Sequence, residues 1–148
     1  MNLYKLVLSS IFLVLAFAGC DNKSNTSVAE VHWDRDTCTR CVMVISDRKN
    51  AVQVRNAQNG KTYMFDDLGC MAIWFENEKI SWKDKAVIWV KDVDTGAWLN
   101  ARKAFYDAGN LTPMGYGFSA HKTKESIKAG KKVFTFNEAV ETILKTEK

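Results

Sequence analysis

Val52-Gln53-Val54-Arg55, Asn59-Gly60, Lys61-Thr62-Tyr63-Met64-Phe65 and Asp66-Asp67-Leu68, read in that order, decide the fold. Val52 and Val54 alternate with Gln53 and Arg55, the period of a strand. Asn-Gly is favoured where two turn residues need positive φ, so Asn59-Gly60 predicts a type I′ hairpin, with Lys61–Phe65 as its second, aromatic-rich strand. Asp66 or Asp67 can then accept hydrogen bonds from the free amides at a helix start. Beyond them Leu68, Met71, Ala72 and Phe75 fall at helical spacing. Cys70, Ile73 and Trp74 thicken the apolar face, so the helix is largely buried and ends near Lys79. The run Ala86-Val87-Ile88-Trp89-Val90 is continuously apolar and fits a central strand covered on both faces.

Further along, Asp94-Thr95-Gly96 turns the chain, and Ala97–Leu99, Ala104–Tyr106 and Gly117–His121 read as short strands. Thr123–Ala129 reads as a short helix stopped by Gly130, and Val133-Phe134 as a brief strand. Thr135 and Glu138 form a capping box that opens a final amphipathic helix, with Val140, Ile143 and Leu144 inward. Strand, strand, helix, strand is followed by a looser echo of itself. The fold class is therefore α+β with a mostly antiparallel sheet.

On the N-terminal side, Lys5 precedes an almost purely apolar run from Leu6 to Ala18 that closes on Gly19-Cys20. The run is shorter than the roughly 20 residues of a spanning helix and reads as a secretory signal. Phe17-Ala18-Gly19-Cys20 resembles a bacterial lipobox, with Phe17 in place of the usual leucine, and Cys20 as the lipidated residue. Asp21 behind it resembles a signal for retention at the inner membrane. The expected organisation is a lipoprotein signal over 1–20, a flexible tether over 21–29, and one domain over 30–148 whose body lies on the periplasmic side.

The 148-residue chain is 47% hydrophobic with a formal net charge of +4, which fits a folded globule and supplies too little positive charge for a nucleic-acid binder. Lys122, Lys124, Lys128, Lys131 and Lys132 read as a solvated helix face near an anionic lipid surface.

With Cys20 assigned to lipid, Cys38, Cys41 and Cys70 remain. An odd number of thiols in an oxidising compartment leaves at least one without an intramolecular partner. Cys38-Thr39-Arg40-Cys41-Val42-Met43 is a C-x-x-C-x-M string. Soft thiolate and thioether donors select Cu(I), and zinc rarely accepts methionine, so the string favours copper. If the local chain is extended, Cys41 and Met43 project to one face; Cys38 joins only if the chain turns. A thioredoxin-type disulfide between Cys38 and Cys41 is the competing reading. Adjacent helical positions diverge by about 100°, so of Cys70 and Met71 only one faces a site; Cys70 is the candidate ligand and Met71 the core residue. Met114 lies in Thr112-Pro113-Met114-Gly115-Tyr116-Gly117-Phe118, a turn that presents a thioether. Of the two histidines, His32 and His121, the second is the better candidate to complete a site.

Three segments together resemble the NosL family, the lipoproteins accessory to nitrous oxide reductase. They are Asp36-Thr37-Cys38-Thr39-Arg40-Cys41-Val42-Met43, Phe65-Asp66-Asp67-Leu68-Gly69-Cys70-Met71 with Trp74, and Thr112-Pro113-Met114-Gly115-Tyr116-Gly117. The resemblance implies a Cu(I)-binding periplasmic chaperone that receives copper from a membrane transporter and passes it to a copper enzyme. It also implies two ββαβ units related to organomercurial lyase. The family's C-x-M pair falls on Cys41 and Met43, and its M-G loop methionine on Met114. Cys38, Cys70 and Val42 depart from the best-studied branch, and the chain is similar to a shorter C-x-x-C branch whose client need not be nitrous oxide reductase.

The leading expectation is a membrane-anchored Cu(I) carrier, not an enzyme, using Cys38, Cys41, Met43, Cys70 and Met114. The alternative is a thiol–disulfide lipoprotein using Cys38 and Cys41, which requires an accessible thiol of low pKa. A third, an organomercurial-lyase-like enzyme, has a carboxylate beside a cysteine in Asp66, Asp67 and Cys70 but rests on fold analogy. No acid–base pair, nucleophile triad or phosphate loop accompanies these residues.

Overall fold

All four residues of β1 (Val52–Arg55) are buried, and its two faces are covered by different parts of the chain. In the computed structural model, which describes residues 25–147, β1 lies inside a four-stranded antiparallel sheet of order β2-β1-β3-β4. β2 is Thr62–Phe65, β3 Val87–Lys91 and β4 Trp98–Asn100. The register sets Val52 between Phe65 and Val90, and Val54 between Tyr63 and Ile88. Side chains alternate along a strand, so these six share one face. That face meets α1 (Leu68–Asn77), whose Trp74 ring lies 4.8 Å from Tyr63 and 5.3 Å from Phe65. Such tilted pairs contribute about 0.5–1.5 kcal/mol beyond their burial. Trp82 closes the cluster against Trp74, Phe75 and Tyr63.

The opposite face carries Gln53 and Arg55, which need polar partners once buried. Residues 25–29 supply them: Gln53 exchanges both of its amide bonds with the Ala29 backbone at 2.9 and 3.0 Å, and Arg55 donates to the Ser27 carbonyl. Trp89 on β3 donates to the Thr26 carbonyl at 3.1 Å. This part of the expected tether is therefore bonded along the sheet, because its carbonyls answer side chains that alternation turned outward. The signal, Cys20 and 21–24 lie outside the described residues.

β3 is interior, as its apolar run implies, but its burial alternates, with Ile88 and Val90 in the core and Val87 and Trp89 half-covered. Asp67, not Asp66, caps α1, accepting from the Gly69 amide at 3.0 Å. The Thr135–Glu138 capping box opens α2 (Phe136–Thr146), which packs on α1 through Ala139 and Ile143. β1-β2-α1-β3 makes a ββαβ unit. β5 (Phe105–Asp107) and β6 (Ser119–His121) pair separately, followed by α2. Single bridges at Asp92–Ala120 and Tyr106–Phe134 tie the second sheet to its surroundings. The architecture is α+β and mostly antiparallel.

Thr123–Ala129 is not a helix beyond a 3-10 turn at Lys124–Ser126. Ile127 is buried there, and Lys131 is drawn to the carboxylate of Asp107 and to Asn110, so Lys131 is not part of a solvated face. Burial opposes charge on Asp107, but Lys131, His121 and Asn110 outweigh it and hold its carboxyl below the usual range. No helix among the described residues is long and apolar enough to cross a membrane.

Candidate metal centre

Thr37 and Val44 form an antiparallel bridge, and between them the chain makes a tight tip. The Cys38 amide donates to Met43 O at 2.8 Å, and the Val42 amide donates back to Cys38 O at 3.0 Å. Closing that tip takes Val42 to φ 65°, a conformation rare for a β-branched residue. The tip is moored to β2 by the Thr39 amide, which donates to Met64 O at 2.7 Å.

This turn, rather than an extended segment, sets the direction of the cysteines. Cys38 turns inward and is 1% exposed, while Cys41 is half-buried beside it. Cys70, one turn into α1, comes from the opposite side and is 0% exposed, with Met71 fully buried in the core as its position implied. Asp66, directly after the end of β2, completes the group. The three sulfurs and a carboxylate oxygen of Asp66 all lie within 4.8 Å of one another. Cys41 Sγ donates to Asp66 Oδ2 at 3.3 Å, and Arg40 Nη1 approaches Cys70 Sγ at 3.9 Å and donates to the Tyr116 hydroxyl at 3.2 Å.

The three thiols are not alike. The Cys70 thiol donates to Cys38 and, against the opposing effect of burial, the backbone amides of Cys41 and Asp66 join it, drawing Cys38 down to about 6. Burial first, then Cys38 and Asp66, push Cys41 up to about 11, with the Met43 amide opposing. Cys70 is driven upward as the donor to Cys38. The cluster thus favours the thiolate at Cys38 over the other two, and protons still held by the thiols leave when a metal ion enters.

The chain places the methionines at the margin. Met43 is 50% exposed, and the expectation that it and Cys41 share an extended face fails because positive φ at Val42 breaks the alternation. Met114 is half-buried in a loop pinned to the helix start: Asp67 Oδ2 accepts from Thr112 Oγ1 at 2.7 Å and from the Met114 amide at 3.1 Å. His121 stands elsewhere, its ring nitrogens 2.9 Å from Asp94 Oδ2 and 3.1 Å from Asp107 Oδ1, so it does not complete the sulfur cluster. It belongs with Asp92 and Asp94 to a second group of potential ligands.

Motif reading offered Asp66 only as a helix cap or as a carboxylate beside Cys70 in the lyase-like reading, not as a metal ligand, and gave Arg40 no role. The available signal was two consecutive aspartates ahead of a helix that needs one cap, which leaves the other carboxylate to be explained.

Tyr116 lies flat over Gly69, where an added Cβ would come within 2.0 Å of the ring. Alanine normally favours a helix by about 1 kcal/mol over glycine. Here Gly69→Ala is expected to destabilise by about 1–3 kcal/mol, the usual cost of overpacking. Denaturant unfolding checks this; Gly69→Ala/Tyr116→Ala recovers most of the loss, and a stabilised single variant would contradict the stacking.

No protein-family model and no curated protein matches the sequence. Among solved structures, the crystal structure of the copper chaperone NosL from Shewanella denitrificans matches with a TM-score of 0.63 at 17% identity. The match covers 75% of this chain and 94% of that one. The two chains share a fold.

Proposed function

We propose that the protein is a copper-binding chaperone that holds Cu(I) on Cys38, Cys41 and Cys70 and passes it on through Met43 and Met114. The observation that carries this reading is the convergence of three sulfurs within 4.8 Å on a group whose outer member, Cys41, reaches the surface. Soft sulfur at low coordination suits Cu(I). Fold likeness to a copper chaperone supports the same reading. A half-exposed thioether two residues from Cys41 gives an incoming ligand one donor to replace at a time, which is what transfer needs. In this scheme the ion is cargo and the protein transforms nothing. Lipid on Cys20 anchors the chain and Asp21 retains it at the inner membrane, with the domain on the periplasmic side. A copper transporter is the donor and a copper enzyme such as nitrous oxide reductase the acceptor.

The thiol–disulfide alternative needs accessibility and low pKa in one residue. Here they are divided: Cys38 is lowered but buried, and Cys41 is reachable but raised.

Anaerobic Cu(I) competition against a colorimetric chelator tests the proposal. Reduced protein is expected to bind one ion per chain, and Met43→Leu/Met114→Leu to weaken it by about 10–100-fold, the range seen when supporting metal-site groups are lost. Absence of binding, or indifference to both methionines, would return the cysteines to redox chemistry.

A further inference from the structure

Asp66 is 2% exposed and its Oδ1 has no hydrogen-bond partner among the described residues. A buried carboxylate oxygen left unmet costs free energy, so native structures satisfy such atoms or use them. Its other oxygen accepts the weak thiol donor of Cys41, and the Cys38 side chain also bonds to this carboxylate. Helix capping does not explain the residue, since Asp67 performs it. What surrounds the carboxylate is three sulfurs, each with its ligand atom within 4.8 Å of the others and of Asp66.

Three thiolates and one carboxylate are four anionic donors of mixed hardness. Zinc takes sulfur and carboxylate oxygen together, four-coordinate and tetrahedral; Cu(I) prefers fewer donors, all soft. Charge points the same way. Four anions around a monovalent ion leave one more negative charge buried than around a divalent one, and Arg40, at 3.9 Å from Cys70 Sγ, brings one positive charge to that side. The backbone supports the ligand set: the Cys41 amide of the turn and the Asp66 amide already bond to Cys38.

We infer that Asp66 is the fourth donor of a three-thiolate, one-carboxylate site that takes a divalent d10 ion, Zn(II), in competition with the copper cargo. The inference rests on the same cysteine cluster as the copper reading but on a different fourth group. The inner donors Cys38, Cys41, Cys70 and Asp66 enclose Zn(II). The outer thioether of Met43, which zinc rejects, serves Cu(I) alone. The chain thus carries two overlapping donor sets that sort ions by charge and softness.

The test uses the reduced protein and Zn(II) competition against a chromophoric chelator, beside the Cu(I) titration, for wild type, Asp66→Asn and Met43→Leu. Asp66→Asn is expected to weaken Zn(II) by at least about tenfold and Cu(I) by clearly less; Met43→Leu weakens Cu(I) and leaves Zn(II) unchanged. Zinc-edge X-ray absorption of the wild type is expected to show three sulfurs at about 2.3 Å and one oxygen at about 2.0–2.2 Å. If Asp66→Asn fails to fold by circular dichroism, that spectrum decides alone. An all-sulfur zinc shell, no zinc binding, or equal loss of both metals in Asp66→Asn overturns the inference. Any of these with wild-type Cu(I) binding retained leaves the copper reading standing, whereas zinc bound and copper refused sinks that reading and keeps this one.

Discussion

Cys38→Ser is expected to lower Cu(I) affinity by more than about 100-fold, since removing a ligand costs more than the 10–100-fold typical of a supporting group. Cys38 is the thiol whose pKa is drawn down, with Cys70 and the amides of Cys41 and Asp66 directed at it. Serine keeps the size and the hydrogen-bond capacity but offers a hard, protonated oxygen where a soft anion stood. Cys70→Ser gives the sharper discrimination. A C-x-x-C redox protein needs Cys38 and Cys41 and is indifferent to a cysteine on α1. A three-sulfur copper site loses affinity when Cys70 is replaced, because Cys70 closes the cluster from the opposite side. Chelator competition on the two single variants, with unfolding curves to show that each remains folded, separates the two. Full Cu(I) affinity in Cys70→Ser would remove α1 from the site.

Asp67→Ala is expected to destabilise the fold by about 3–5 kcal/mol, from the loss of a helix cap and of two further hydrogen bonds to a charged acceptor. Asp67 is fully buried and receives the Gly69 amide on one oxygen and both Thr112 Oγ1 and the Met114 amide on the other. Alanine strands all three donors, one of them the amide that sets the Met114 loop. Against the 5–15 kcal/mol of a typical domain, this is a large fraction. Denaturant unfolding measures it as a fall in midpoint at constant slope. The variant, where still folded, is also expected to lose the part of Cu(I) affinity owed to Met114. A cost below about 1 kcal/mol would mean that the loop does not depend on Asp67.

Local rules carried much of the fold. Alternation in Val52–Arg55 set the first hairpin, and the Thr135–Glu138 box set the start of α2. The type I′ turn expected at Asn59-Gly60 did not form, because only Gly60 of the pair has positive φ and the connection is a longer loop closed by the Asn56 amide on Lys61 O. They failed where a neighbour from far along the chain overrode them. Thr123–Ala129 has helical composition, yet buried Ile127 and the Lys131–Asp107 ion pair hold it to a single 3-10 turn. Residues 25–29 have the composition of a linker and are ordered by Gln53, Arg55 and Trp89, none of them a sequence neighbour.

The candidate site divides in the same way. C-x-x-C-x-M and a cysteine on a buried helix could be read from the chain because donor type and helical phase are local properties. Sequence by itself determined the α+β class, the N-terminal cap of α2, the inward phase of Met71 and the candidate sulfur donors. Only the tertiary structure decided which donors meet. Positive φ at Val42 turned Cys38 and Cys41 toward α1 and left Met43 outside. The second strand's length brought Asp66 under them, and the register of β6 sent His121 to Asp94 and Asp107 instead. Ligand convergence depends on the relative placement of a loop, a strand end and a helix separated by up to 32 positions between Cys38 and Cys70, and no local periodicity encodes that placement.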